Sequence, residues 1–337
     1  MDDWSGPAVA PRLLDRIRVQ LGHLAIGYAE PPAVLRGGYD TRIYAFRLAG
    51  APGEWAGPLI LRVLGPQTDP ARALREGAVQ NAVAGLGYPA PRVLVASADP
   101  AALGAAFLVM ARLPGRPLLE VRRVGVASAL ARMQRALHAL DAEPVLAAMD
   151  GVGGRDAVTF DGLLSQLRAR VARRSLGGLR EVAQWLDAHR PPPPARAVVC
   201  HGDLHPQNVL ADQRGAVTGV IDWPNALVAD PAYDLASTRI ILGMVPVELS
   251  SVSPALRGLV RAARPLLLAH FRRPRAMSRA AFDYYEVASA MRHLVRAAEA
   301  RRDAAAGGPP LGPLDASAFG DRLSARVAAL TRCRVSL

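Results

Sequence analysis

Val198–Asp222 reads VVCHGDLHPQNVLADQRGAVTGVID. Two apolar runs, Ala197-Val198-Val199 and Val217 to Ile221, flank a polar centre carrying His201, Asp203, His205 and Asn208, and Asp222 closes the second run. An Asp-x-x-x-x-Asn loop followed by an aspartate at a strand end is the pattern by which phosphoryl-transfer sites gather a base and two metal ligands. His201 and His205 are spaced like metal ligands on a helix, but this segment reads as a loop. They are expected to act as structural hydrogen-bonders, with no direct catalytic role.

Composition bounds what can surround this segment. At 337 residues the chain is long for one core, so two lobes are expected. Its 51% hydrophobic and 21% charged content is that of an ordinary globular protein. No apolar run approaches the ~20 residues of a bilayer span, so no membrane partner is expected. The start, MDDWSGPAVA, has acids where a signal peptide needs basic residues. Two cysteines exclude a disulfide framework or a cysteine-rich zinc site, and a reducing cytoplasm is the expected location.

The net charge is +12, and every one of the 41 basic residues is arginine. No step of this protein can therefore use a lysine. The arginines are scattered and aromatics are only 5%, so no nucleic-acid partner is expected.

Towards the N-terminus, Leu13, Leu14, Ile17 and Leu21 have helical spacing, predicting a helix over 10–21. Two apolar segments around Gly37-Gly38-Tyr39-Asp40 predict a hairpin over 33–48. Its glycines would let the backbone approach a phosphate, or simply make the turn. Residues 59–64 predict a strand that carries Arg62, and a helix over 70–86 carries Glu76. An Arg62–Glu76 pair would ready a cation for phosphates; an edge strand with Arg62 in solvent is the alternative. Strands are expected at 92–96 and 107–112, before Leu113-Pro114-Gly115-Arg116-Pro117 interrupts the chain. That places a lobe at 1–112, a connector at 113–117 and a second lobe at 118–337. Up to Arg112 there are 11 arginines and 9 acids (+2); the remaining 30 and 20 (+10) put the excess charge in the second lobe.

In that lobe, periodicity predicts helices at 126–140, 160–172 and 179–189, with His138 as a helix-end residue. Asp230-Pro231 is a helix start, with aspartate as cap and proline in the first turn. Further helices are expected at 255–271, 279–300 and 316–331. The order is strands with one helix, then helices with a small strand pair inserted, an α+β protein.

HGDLHPQNVL with VIDW resembles the aminoglycoside phosphotransferase family, relatives of protein kinases. The resemblance extends over about Val34 to Leu242: glycine turn, Arg62, Glu76, a connector from Met110 to Gly115, HGD-x-x-x-x-N, ID, then D-P-x-x-D-L-A. It implies a two-lobed protein-kinase-like fold with a small antiparallel-sheet lobe and a larger helical lobe. By the same resemblance Asp203 is the catalytic base, and Asn208 and Asp222 bind Mg2+. Gly37, Gly38, Arg62, Glu76 and Met110 serve the nucleotide, ATP or GTP, and Asp234 braces the loop with His201. Trp223 is read as packing.

The partners implied are a nucleotide and a small molecule bearing a hydroxyl, and the chain would be a monomer or homodimer. Arg62 stands where many kinases have lysine, which leaves open a pseudokinase that binds nucleotide without transfer. From Ala236 to Leu337 there are 16 arginines against 7 acids, which favours a neutral or anionic acceptor over a polycationic aminoglycoside.

Overall fold

The alternation of residues 41–48 is realised as a strand that buries Tyr44, Phe46 and Leu48 and turns Arg47 outward. It belongs to a computed structural model that describes every residue except 1–5, 36–40, 66–67, 122–124, 246–252, 275–276, 309–310, 313 and 317. Five strands, β1 (Gly27–Leu35), β2 (Thr41–Ala49), β3 (Leu59–Leu64), β4 (Val93–Ser97) and β5 (Phe107–Ala111), form an antiparallel sheet of order β1-β2-β3-β5-β4. The β1–β2 turn, with Gly37 and Gly38, lies outside the described residues. β3 is central, because Arg62 pairs with Ile43 on one side and Leu108 on the other. The edge-strand alternative for Arg62 therefore falls.

Each face of this sheet is covered by a helix. Leu13 and Ile17 of helix Gly6–Leu21 pack with Tyr44, Phe46, Leu59, Leu61 and Phe107. Ala73 of helix Ala71–Gly85 packs with Leu64, Val93, Leu108 and Met110. Each large side chain buried this way contributes about 1.5–3 kcal/mol.

The chain divides into two compact units. The first is Met1–Arg116 together with Ala147–Gly154 and Leu210–Pro224; the second is Pro117–Leu146, Arg155–Val209 and Asn225–Leu337. A single cut at 113–117 is thus too simple, because the segment carrying Asp222 groups with the N-terminal sheet.

The second unit is mostly helical and holds a short antiparallel pair, Val198–Cys200 with Leu227–Ala229. Its centre is helix Arg279–Ala305, in which every residue from Tyr284 to Met291 is buried. A helix segment buried on all sides sits inside a core rather than on it. Around it pack Leu164 and Leu167 of helix Phe160–Arg173, Val182 and Leu186 of Arg180–Ala188, Tyr233 and Ile240 of Pro231–Met244, and Leu323 and Val327 of Phe319–Thr331. The helix starts have chemical causes: Asp230 Oδ1 accepts from the Ala232 N–H at 2.8 Å, with Pro231 following. Thr159 and Ser278 cap two others, each accepting at 3.1 Å. Such caps are worth about 1 kcal/mol each. Among the described residues, no helix is long and apolar enough to cross a membrane.

Candidate active site

The candidate residues fall into two groups, one within each unit. In the first unit Arg62 projects from β3 with its side chain 12% exposed, against a fully buried Glu76. One guanidinium nitrogen donates to Glu76 Oε1, the other lies 3.0 Å from Asp222 Oδ1, and Nε reaches the Thr41 hydroxyl at 3.4 Å. Burial opposes the charge on Arg62, but the carboxylates of Glu76 and Asp222 outweigh it and hold the guanidinium above its usual pKa. For Glu76 burial dominates and pushes the carboxyl up, with Arg62 offsetting part of the rise.

Asp222 has a φ of 71°, a left-handed backbone that costs a non-glycine residue on the order of 1–3 kcal/mol and recurs where side chains must be aimed. Beside it Trp223 is buried, donating Nε1–H to the Val220 carbonyl at 2.9 Å and meeting Tyr88 edge-on. Met110 is a core residue at the end of β5, with its sulfur 3.7 Å from Gln80 Nε2.

In the second unit the loop after strand Val198–Cys200 is held by its backbone. Gly202 adopts a φ of 71°, and a Cβ there would collide with the Asn225 carbonyl oxygen, so only glycine fits. Its N–H donates to Asp234 Oδ1 at 2.7 Å; its carbonyl accepts from Ser237 Oγ at 2.9 Å and from Arg292 Nη2 at 2.6 Å. The Asp203 N–H donates to His201 Nδ1 at 3.3 Å. Asn208 Nδ2 donates to the Asp203 carbonyl at 2.9 Å, and Asn225 Nδ2 approaches Asp203 Oδ2 at 3.4 Å. Asp203 and Asn208 are therefore brought together in this unit, as Arg62, Glu76 and Asp222 are in the other.

Asp234 is fully buried, and its second oxygen bonds His138 Nε2 at 2.9 Å. Burial alone would raise its carboxyl, but His138, the Gly202 N–H and the neighbouring His201 hold it below the usual carboxylate range. His138, Cys200 and Asp234 offer ligand atoms within 4.8 Å of one another. Both Asp234 oxygens are already engaged, one by the Gly202 N–H and the other by His138 Nε2. Sequence reasoning missed His138, Ser237 and Arg292. A histidine at a helix end and an arginine among sixteen carry no local signal of a partner tens of residues away.

Residues 33–248 match the family model described as the phosphotransferase enzyme family, APH. The aminoglycoside 3'-phosphotransferase of Streptomyces fradiae is 37% identical over 44% of this chain and 57% of its own length. That of Streptomyces ribosidificus is 30% identical over 58% of this chain and 75% of its own. The chain spans about half the length, or less, of most of the curated relatives it matches. A crystal structure of a thermostable mutant of aminoglycoside phosphotransferase APH(4)-Ia, in ternary complex with ADP and hygromycin B, superposes with a TM-score of 0.61. It covers 95% of this chain and 98% of that one at 17% identity, which is a likeness of fold. An antiparallel sheet with its flanking helices, a helical unit and a match across well over half the chain agree: this protein belongs to the phosphotransferase enzyme family.

Proposed function

We propose that this protein transfers the γ-phosphate of ATP or GTP to a hydroxyl of a small molecule, in a magnesium-dependent reaction. The observation that carries the reading is the largely buried Arg62 guanidinium held between Glu76 and Asp222. A strand cation oriented by a helix glutamate is how kinase-like sites present a positive charge to nucleotide phosphates. Arginine keeps its charge at any physiological pH and grips phosphate through two nitrogens, so it can replace lysine there. Asp203 is the base that orients the acceptor hydroxyl and takes its proton.

Asn208 and Asp222 fit magnesium by chemistry, since both offer hard oxygens. Asn208 uses its nitrogen on the Asp203 carbonyl, which leaves Oδ1 for a cation. When bound, magnesium supplies charge neutralisation for the phosphates.

The acceptor is proposed to be neutral or anionic, such as a nucleoside antibiotic, a macrolide or a sugar. Every described acid after Ala236 is already paired with arginine. Asp283 pairs with Arg279, Glu286 with Arg239 and Arg326, Glu299 with Arg170, Asp303 with Arg174, Asp315 with Arg296 and Asp321 with Arg301. A polycation would have to compete for those carboxylates. The aminoglycoside alternative is favoured by the named activity of the Streptomyces relatives.

The test is incubation with magnesium and γ-labelled ATP or GTP against macrolides, nucleosides, sugars and aminoglycosides. Label should pass to a neutral or anionic compound and not to water alone. Tight nucleotide binding with no transfer to any compound would leave a pseudokinase and end this reading.

A further inference from the structure

We infer that Arg292, which lies beyond the family-matched residues 33–248, is a positioning residue for the loop that carries Asp203. The inference rests on the phosphotransferase reading above, but its test does not depend on finding the acceptor.

The peptide plane between Gly202 and Asp203 contains the Gly202 carbonyl and the Asp203 N–H. The oxygen end accepts from Arg292 Nη2 at 2.6 Å and from Ser237 Oγ at 2.9 Å. The nitrogen end donates to His201 Nδ1 at 3.3 Å. With both ends held, the plane cannot turn, and its orientation sets where the Asp203 side chain leaves the backbone.

Glycine offers no steric resistance of its own to such a turn, so the restraint must come from these partners. Among them Arg292 alone brings a formal positive charge, and charge-assisted bonds are roughly twice as strong as neutral ones. The guanidinium also packs on the glycine itself, with Nη1 3.1 Å from where a Cβ would stand.

Proton accounting gives the same helix a second part in the clamp. Ser237 has one hydroxyl proton and donates it to the Gly202 carbonyl, so in its 2.8 Å contact with Ser289 it must accept. Ser289 and Arg292 stand one turn apart on helix Arg279–Ala305, the buried centre of the unit. A loop anchored to this deeply packed helix inherits its rigidity.

The experiment compares Arg292→Met, which keeps length and loses every donor, with Arg292→Lys, which keeps one charged donor. Hydrogen exchange is followed by mass spectrometry on peptides covering residues 200–208, with peptides from 284–291 as the internal control. Exchange at 200–208 should accelerate about tenfold or more in Arg292→Met and much less in Arg292→Lys, with the control unchanged. Turnover of MgATP, with an acceptor or water, should show kcat falling by roughly 10- to 100-fold and the nucleotide KM within about twofold, since misplacement by an ångström costs that much.

Unchanged exchange at 200–208 in Arg292→Met overturns the inference whatever the activity. A rise in KM with kcat intact overturns it too. A wild-type protein that transfers no phosphate ends the proposed function instead, and the exchange comparison still decides the role of Arg292. Should Arg292→Met lose its helical circular dichroism, Arg292→Gln takes its place under the same criteria.

Discussion

Replacing Asp234 by asparagine removes one negative charge from a fully buried position while keeping the side chain's volume. The wild-type carboxylate takes two hydrogen bonds, 2.7 Å from the Gly202 N–H and 2.9 Å from His138 Nε2. Bonds to an ionised group contribute about 1.5–3 kcal/mol each. Losing both, as in Asp234→Ala, should cost roughly 3–6 kcal/mol, a large part of the 5–15 kcal/mol typical of a domain. Asparagine can still accept from Gly202 but cannot hold His138 as an anion does, so about half that loss, ~1.5–3 kcal/mol, is expected.

The sign of the pH dependence follows from the depressed carboxyl. The ionised form favours the folded state, so its stabilisation is complete above the unfolded carboxylate range. It is lost as pH falls through 3.8 towards the lower folded value. Urea unfolding followed by circular dichroism at pH 7 and at steps from pH 5 to 3 measures both effects. Asp234→Asn should unfold earlier at pH 7 and lose less stability than wild type on acidification. A variant within ~0.5 kcal/mol of wild type at pH 7, or with the same acid slope, would refute the reasoning, because surface-like changes stay within that margin.

Asp203→Ala should abolish label transfer while nucleotide affinity, read by calorimetry, stays within a few-fold; retained transfer removes Asp203 as base. Asp222→Ala should eliminate magnesium-dependent turnover and also leave Arg62 with Glu76 as its remaining carboxylate partner, which a magnesium titration of nucleotide binding would reveal. Glu286→Gln breaks a buried carboxylate shared by the partly exposed Arg239 and Arg326, and a loss of about 1.5–3 kcal/mol is expected in thermal or urea melts. A change under ~1 kcal/mol would mean that solvent already screens those partly exposed arginines.

The loop from Asp203 to Asn208 was legible because its chemistry is local: the two side chains sit five residues apart, and Asn208 bonds back to the Asp203 carbonyl within that span. The sheet strands were legible for the same kind of reason, since alternation such as Tyr44, Phe46 and Leu48 is written in neighbouring residues. Leu227–Ala229 was not recognised as a strand. Three residues carry no periodicity, and their pairing with Val198–Cys200 crosses nearly thirty positions. The grouping of Leu210–Pro224 with the N-terminal sheet was likewise unreadable, because a cut placed at Pro114-Gly115 assumes that each unit is one continuous segment.

By itself the sequence determined the residue types available for chemistry: carboxylate and amide oxygens at 203, 208 and 222, arginine where a lysine is usual, and no lysine anywhere. It also determined the helices and strands whose apolar spacing is local, and the cap at Asp230. Only the tertiary structure decided that Arg62 sits on a central strand between Glu76 and Asp222. It alone decided that Asp234 is the buried anion shared by Gly202 and His138, and that Arg292 reaches the Gly202 carbonyl from ninety residues away. Propensity and periodicity are properties of neighbours along the chain. A hydrogen bond between distant groups exists only once burial has brought them together and removed the water that would otherwise satisfy them.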